Sequence, residues 1–374
     1  MLSQISKILQ DTNTYWGKIL MNKVLDIRIE EALRAYLASG VEEQVDYQKF
    51  YLYSIVTHST AIEGSTITEI ENQLLFDEGI AAKNRSLKEQ MMNVDLKDAY
   101  LHAFRIASEN PTYTPEMLRQ LSAHVMRRTG SEYSTIAGQF DSSKGDFRLC
   151  NVSAGIGGRS YLAYNKVESA VADFCKWLND EIATVDKKDI AACYRLSFEA
   201  HFRLVTIHPW VDGNGRTTRL VMNMIQRQLG LVPSIDRKED KGEYIQSLVD
   251  SRENEDSTIA QDTMLRHHIA NLNRRVAEYQ HTEGTSKSAS SQSATIVISK
   301  SNICTLDCTL EETAVLRCIK TNPKMTQIEM AAAIGKSERT VKTITSALVE
   351  KCILTRQNGR RNGWWEINKE ISEL

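Results

Sequence analysis

Proline and glycine are both scarce, at 5 and 18 of 374 residues, so the first expectation is a helix-rich protein. Long apolar runs are missing too: none reaches the ~18 uninterrupted residues that a membrane span needs. The first residues, MLSQISKILQDTNTYWGK, lack the apolar stretch of a secretory signal. A cytoplasmic chain without membrane contact is therefore expected. Neither sign of charge dominates, since 46 Lys and Arg against 48 Asp and Glu leave a net charge of −2. That excludes a strongly basic nucleic-acid coat but leaves room for a local binding face. The seven cysteines are odd in number and scattered. Cys304 and Cys308 stand four apart with no second pair or nearby histidine, so no zinc site is expected. The thiols read as small apolar core residues in a reducing compartment.

What is present is an ordinary globular balance, 41% hydrophobic and 25% charged. The length suggests two or three domains and suffices for a core without disulfide or metal staples. Residues 1–280 read mostly as successive amphipathic helices. In IRIEEALRAYLASG, the residues Ile27, Ile29, Leu33, Tyr36 and Leu37 recur at roughly helical spacing, and the run stops at Gly40. Another helix opens at Thr114-Pro115-Glu116, with a capping Thr and Pro in the first helical position. Between about 138 and 165 the helical period is lost, and the Gly- and Ser-rich stretch fits a loop plus a short hairpin. Residues 282–295, TEGTSKSASSQSAT, have the composition of a flexible linker. No internal repeat is found.

The stretch HPWVDGNGRTTR, residues 208–219, follows one apolar helix and leads into another. Gly213 and Gly215 flank Asn214, so the backbone there can approach a ligand with no Cβ in the way. Free N–H groups and the positive dipole end of the following helix make this an anion site suited to phosphate oxygens. Arg216 and Arg219, three apart on that helix, can clamp further phosphates. Asp212 offers one hard oxygen, and a single carboxylate with phosphate oxygens and waters is how Mg²⁺ is usually held. His208 stands at the loop entrance, fixed by Pro209, and is suited to proton abstraction at neutral pH.

The whole motif resembles the signature of the Fic family, HPFx(D/E)GNGRxxR, with Trp210 where Phe is usual. That aromatic is expected in the core behind the loop. The resemblance covers roughly residues 50–275. GQFDSSKGDFR resembles the stretch ahead of the family's target-docking flap, and VSAGIGGRSYLAY resembles the flap hairpin. The resemblance implies transfer of AMP from Mg·ATP to a Ser, Thr or Tyr hydroxyl of a protein. It makes His208 the general base, Asp212 the Mg²⁺ ligand, and Gly213, Asn214 and Gly215 the anion hole for the α- and β-phosphates. Arg216 is implied at the β-phosphate and Arg219 at the γ-phosphate. Tyr244 resembles a residue of the adenine pocket, and the flap backbone at Val152, Ser153, Ala154 and Gly155 is implied beside the nucleotide.

A second stretch runs from Ser59 to Gly64. A helical run ends at Gly64, a natural left-handed stop, and the capping box Thr68-x-x-Glu71 opens the next helix. Glu63 thus sits at a helix C-terminus, where the dipole disfavours a carboxylate by ~0.3–1 kcal/mol and a cationic partner is wanted. Beside a Fic core, S-x-x-x-E-G resembles the inhibitory motif (S/T)xxxE(G/N), whose Glu pairs with the second signature arginine, here Arg219. An intramolecular, self-inhibited member is implied.

Residues 309–368 read as three short helices followed by two β-like segments around a Gly-rich basic turn. The pattern resembles a winged helix-turn-helix with helix 337–350 in the recognition position. Arg339, Lys342, Arg360 and Arg361 are the candidate DNA contacts. Duplex DNA on one side, and protein docking or homodimerisation on the other, stay open. The expected fold is thus mainly α: N-terminal helices with the inhibitory helix over 1–110, a Fic catalytic core with a short β-hairpin flap over 111–281, a linker over 282–301 and a winged-helix domain over 302–374. Two other functions stay in play, a DNA-binding regulator that senses nucleotide and a Fic enzyme that removes AMP.

Overall fold

A computed structural model describes residues 15–154, 159–287, 315–316, 318–319, 322–334, 337–350, 354–357 and 364–367. The chain divides into two units, Met1–Ala289 and Ser290–Leu374. The first contains α1 (Tyr15–Ala38), α2 (Tyr47–Ile62), α3 (Glu69–Asp77), α4 (Leu87–Ala107) and α5 (Pro115–Met126). A two-stranded hairpin follows, β1 (Glu132–Thr135) and β2 (Gly138–Asp141), paired antiparallel with Glu132 opposite Asp141. Then come α6 (Val167–Thr184), α7 (Ile190–Ile207), α8 (Asn214–Gln228), α9 (Lys241–Glu253) and α10 (Thr258–Lys287).

Local chemistry sets the helix ends. Thr114 accepts the Met117 N–H with Pro115 in the first turn, as expected. Thr68 and Glu71 form a reciprocal capping box at the start of α3. At the end of α2 the Ser65 N–H reaches the Thr60 carbonyl and the Gly64 N–H reaches that of Ala61. This Schellman closure needs positive φ at Gly64, where it is 102°. It fixes the direction in which Glu63 leaves the helix.

The centre of the unit is α8. Nearly all its residues from Asn214 to Gln226 are buried, and it packs against α7, α4, α5 and α2. Leu220, Val221, Met222, Met224 and Ile225 give it an apolar side, and the Asn, Arg, Thr and Gln residues buried with them need polar partners. Its buried amides tie it to its neighbours: Asn223 donates to the Ser234 carbonyl, and Gln226 donates to the Ser197 and Ser234 hydroxyls and accepts the Ser234 N–H.

Three expectations change. Ile29, Leu33 and Tyr36 are buried on α1, but Ile27 and Leu37 are exposed, because α1 presents only one side to α10 and α7. A further hairpin, not expected from the sequence, stands at 132–141, while among the described flap residues Ser153 and Ser160 pair antiparallel. Helix α10 continues to Lys287, into the segment read as linker, while 288–314 lies outside the described residues.

In the second unit, α11 (Gln327–Ile334) and α12 (Glu338–Glu350) precede β3 (Leu354–Gln357) and β4 (Trp364–Ile367), which pair antiparallel. Val315, Leu316, Ile319, Met330, Val341, Ile344, Leu348, Leu354 and Trp365 share one core. Ser337 caps α12 by accepting the Thr340 N–H.

Trp210 lies where expected, fully buried behind the loop that precedes α8, with its indole N–H donating to the Gly145 carbonyl (3.0 Å). Trp210→Phe keeps an aromatic there but orphans a buried carbonyl and leaves a void. We expect a loss of about 1–3 kcal/mol in urea unfolding. An unchanged midpoint would show that the indole bond adds nothing.

Candidate active site

The loop from His208 to Gly213 is braced from within. His208 ends α7 in the left-handed region (φ 53°), with its N–H on the Leu204 carbonyl. The Asn214 side chain accepts the Trp210 N–H (3.0 Å) and donates to the Trp210 carbonyl (2.7 Å). Asn214 therefore shapes the loop through its side chain. Gly213 has φ 77°, and a Cβ there would lie 2.6 Å from Met126 Sδ, so both conformation and space require glycine. The free N–H groups of the first turn of α8 follow directly.

Two buried guanidinium groups stand at that helix start. Arg216 is 4% exposed, with Nη2 3.3 Å from Met126 Sδ and 3.5 Å from Asp212 Oδ1. Its Nε and Nη1 have no hydrogen-bond partner. Burial holds its pKa below the ordinary guanidinium range. A buried cation with unmet donors beside a helix N-terminus is a site for an anion. Arg219 is fully engaged: Nε donates to Ser59 Oγ, and Nη2 donates to the Ser59 carbonyl (both 2.9 Å) and to Glu63 Oε1 (2.6 Å). Burial alone would lower its pKa, but Tyr244 and Glu63 outweigh burial and raise it.

Glu63 thus meets its expected partner. Burial pushes its carboxyl pKa up, yet Arg219, Arg216 and Lys241 together bring it below the usual value. The carboxylate lies over the first turn of α8, where a Cβ on Gly215 would stand 2.1 Å from Oε1. Glu63 occupies space that the glycine leaves open.

The His208 ring stacks on Tyr161, centroids 3.9 Å apart at 17°. Burial pushes its pKa down to about 4; Arg148 and Arg252 act in the same direction, while the Val205 carbonyl and Glu63 oppose it. This is lower than the near-neutral value expected from sequence, but it leaves the imidazole neutral and able to accept a proton. The flap pairs across itself: the Tyr161 N–H donates to the Val152 carbonyl (3.0 Å) and the Ala154 N–H to that of Arg159 (3.2 Å). A cavity of about 550 Å³ opens between Tyr161 and Leu162, the Phe202–Ile207 end of α7, and Ser251 and Arg252 on α9. Asp212 is half exposed, and its Oδ1 accepts the Gly213 N–H (2.6 Å).

Residues 112–226 match the profile of the Fic/DOC family. This chain carries a Fic-family domain. It is 28% identical over 204 residues to protein adenylyltransferase fic-1 of Caenorhabditis elegans, an alignment covering 54% of this chain and 36% of that protein. The chain thus spans about a third of the length of the curated relatives it matches. Among solved structures, it resembles a Fic family protein from Desulfovibrio desulfuricans with TM-score 0.55 and 17% identity, over 93% of this chain and 96% of that one. A Fic domain containing signaling protein from Bacteroides thetaiotaomicron gives TM-score 0.54 and 18% identity, over 68% and 97%. These likenesses support the mainly helical fold.

Within this Fic domain, His208, Asp212, Gly213, Gly215, Arg216 and Arg219 converge on one helix start, and Ser59 and Glu63 reach it from α2. Tyr244, expected along the adenine pocket, is buried beneath Arg219, its hydroxyl 2.8 Å from His201 Nε2 and 3.4 Å from Arg219 Nη1. Val152, Ser153 and Ala154 lie on the flap, and Gly155 is outside the described residues. So are Arg360 and Arg361, whereas Arg339 and Lys342 are exposed on α12, Lys342 paired with Glu338 (2.7 Å). Sequence reasoning missed Tyr161, Met126 and Arg148, whose roles arise from contacts far along the chain. No helix among the described residues is long and apolar enough to cross a membrane.

Burial holds His201, His208 and His268 neutral, with pKa values near about 3, 4 and 3 respectively. The unfolded chain takes up these protons near pH ~6.5, the native chain only far below, so stability falls as pH drops through that window. Glu63, also depressed, adds to the loss below the ordinary carboxylate range. Each histidine contributes up to ~1.4 kcal/mol per pH unit. Urea midpoints should decline between pH 6.5 and 4, and His268→Leu should make the decline shallower. A midpoint independent of pH over this range contradicts the assignment.

Proposed function

We propose that this chain is a Mg·ATP-dependent protein adenylyltransferase that joins AMP to a Ser, Thr or Tyr hydroxyl of a target protein and is restrained by Glu63. One observation carries the reading: a neutral histidine, a glycine-flanked helix start and a buried arginine with two unmet donors, flanked by the carboxylates of Asp212 and Glu63, meet at one loop. The named relatives support it.

On this reading the acceptor hydroxyl attacks the α-phosphorus in line with the bond to pyrophosphate. That bond breaks as the new P–O bond forms, and the hydroxyl proton passes to His208. The N–H groups of the first turn of α8 hold the α- and β-phosphate oxygens, Arg216 meets the leaving pyrophosphate, and Arg219 takes the γ-phosphate once Glu63 releases it. Asp212 is the carboxylate suited to Mg²⁺. No group of three His, Cys, Asp or Glu side chains that could hold a metal occurs among the described residues, so phosphates and waters would complete the shell. When bound, the ion neutralises phosphate charge. The cavity beside Tyr161 has room for a nucleoside.

Incubation with Mg·ATP followed by intact-mass measurement should reveal AMP on the chain or on an added target. His208→Ala should slow labelling ~10²–10⁴-fold with the fold retained. Asp212→Ala should shift the Mg²⁺ requirement, and Arg216→Ala should lower turnover. Labelling of His208→Ala at the wild-type rate would refute the mechanism.

For the second unit we propose a winged helix that touches duplex DNA. The support is the order of α11, α12 and the β3–β4 hairpin, with Arg339 and Lys342 exposed on α12. Binding should be weak and fall steeply with salt in fluorescence anisotropy. No shift on random-sequence duplexes at low salt would point to protein docking or homodimerisation instead.

A further inference from the structure

We infer that Arg148 is a positioning residue that holds the flap and the catalytic loop as one body, so that acceptor and base meet in register. The inference rests on the proposed transfer reaction, in which the flap aligns the acceptor and His208 removes its proton. Arg148 is fully buried, and no carboxylate among the described residues pairs with it. Its donors all go to main-chain carbonyls. Nε donates to the His208 carbonyl (2.8 Å), Nη1 to that of Cys150 (2.8 Å) and Nη2 to that of Leu162. Its own N–H donates to the Pro209 carbonyl (3.0 Å).

Cys150 and Leu162 are the two roots of the flap, on either side of the pairing between Val152 and Tyr161. His208 and Pro209 begin the catalytic loop. One planar fork therefore ties three separate backbone segments together, and Tyr161, carried by the same flap, stacks on the His208 ring. A lysine in this place brings a single point charge on a flexible stem and cannot reproduce three divergent bonds in one plane. Burying a cation with only carbonyl partners is costly for stability alone, which makes a geometric role the better account. Among the described residues Arg148 has no hydrogen bond to Arg216 or Arg219, and its contacts with the loop end at Pro209.

The test uses the full chain as wild type, Arg148→Lys and Arg148→Gln. Three readouts are taken: amide hydrogen exchange over the flap, the NMR titration of the His208 ring, and AMP transfer to a protein acceptor. Exchange at the Ala154 and Tyr161 amides should speed up at least ~10-fold in both variants, since local opening sets that rate. The His208 titration should move up towards ~6.5 in both variants as the ring gains water, and further in Arg148→Gln, which also loses the charge beside it. Arg252, Tyr161 and Glu63, which also face that ring, are unaltered in both variants. Turnover should fall ~10–100-fold while KM for ATP stays within about twofold, because a misaligned base costs rate rather than nucleotide affinity.

If Arg148→Gln fails to fold, Arg148→Lys carries the comparison. A lowered melting temperature with unchanged flap exchange and unchanged His208 titration would overturn the inference and leave Arg148 a packing residue. A rise in KM for ATP without loss of turnover would overturn it too. If wild type transfers no AMP, the reaction proposed above fails, while flap exchange and the His208 titration still decide whether Arg148 couples the two segments.

Discussion

A guanidinium buried as deeply as that of Arg219 must have an anion, because an unpaired charge there costs several kcal/mol. In this chain the anion is Glu63, and much of the N-terminal architecture serves to deliver it. The Schellman turn at Gly64 sets its direction. Behind that turn lies a buried polar network in which Asn93 on α4 accepts from Thr60 and Asn72 and donates to Ser65. Glu89 then accepts from the Thr66 backbone and hydroxyl. Any anion that competes for Arg219 works against this scaffold as well as against one carboxylate.

Glu63 fills the anion site only in part. It satisfies Arg219 and fits against Gly215, yet Arg216 still carries two unmet donors in a buried setting. Unmet donors on a buried cation are rare unless a ligand supplies the acceptor. On the proposed reading that ligand is a phosphate chain, larger and more charged than a carboxylate. The neutral His208 beside it is compatible with proton abstraction, and its low pKa reflects a ring closed in by Tyr161 and flanked by two arginines.

Much of this was legible in the sequence because it depends on residues close together in the chain. His208 through Arg219 form one loop and one helix turn, so their convergence follows from local geometry. The pairing of Glu63 with Arg219 spans 156 residues and became legible only through the resemblance of the Ser59–Gly64 stretch to a known motif. Arg148 gave no such signal: a lone arginine in a Gly-rich loop does not reveal that three distant carbonyls surround it. Ile27 and Leu37 illustrate another limit, since helical spacing marks a face but not how wide a strip the neighbours cover. The hairpin at 132–141 escaped for a similar reason. Its residues are mostly small and polar, and the stack of half-buried Tyr133 on buried Phe140 joins partners seven apart in the chain.

On the proposed reading, Glu63 holds Arg219 away from the nucleotide. The direct measurement is AMP incorporation under Mg·ATP by wild type, Glu63→Gly and Arg219→Ala, read by intact mass. Glu63→Gly should exceed wild type and Arg219→Ala should not, because the latter would lose the proposed γ-phosphate contact along with the restraint. Equal incorporation by wild type and Glu63→Gly would contradict it.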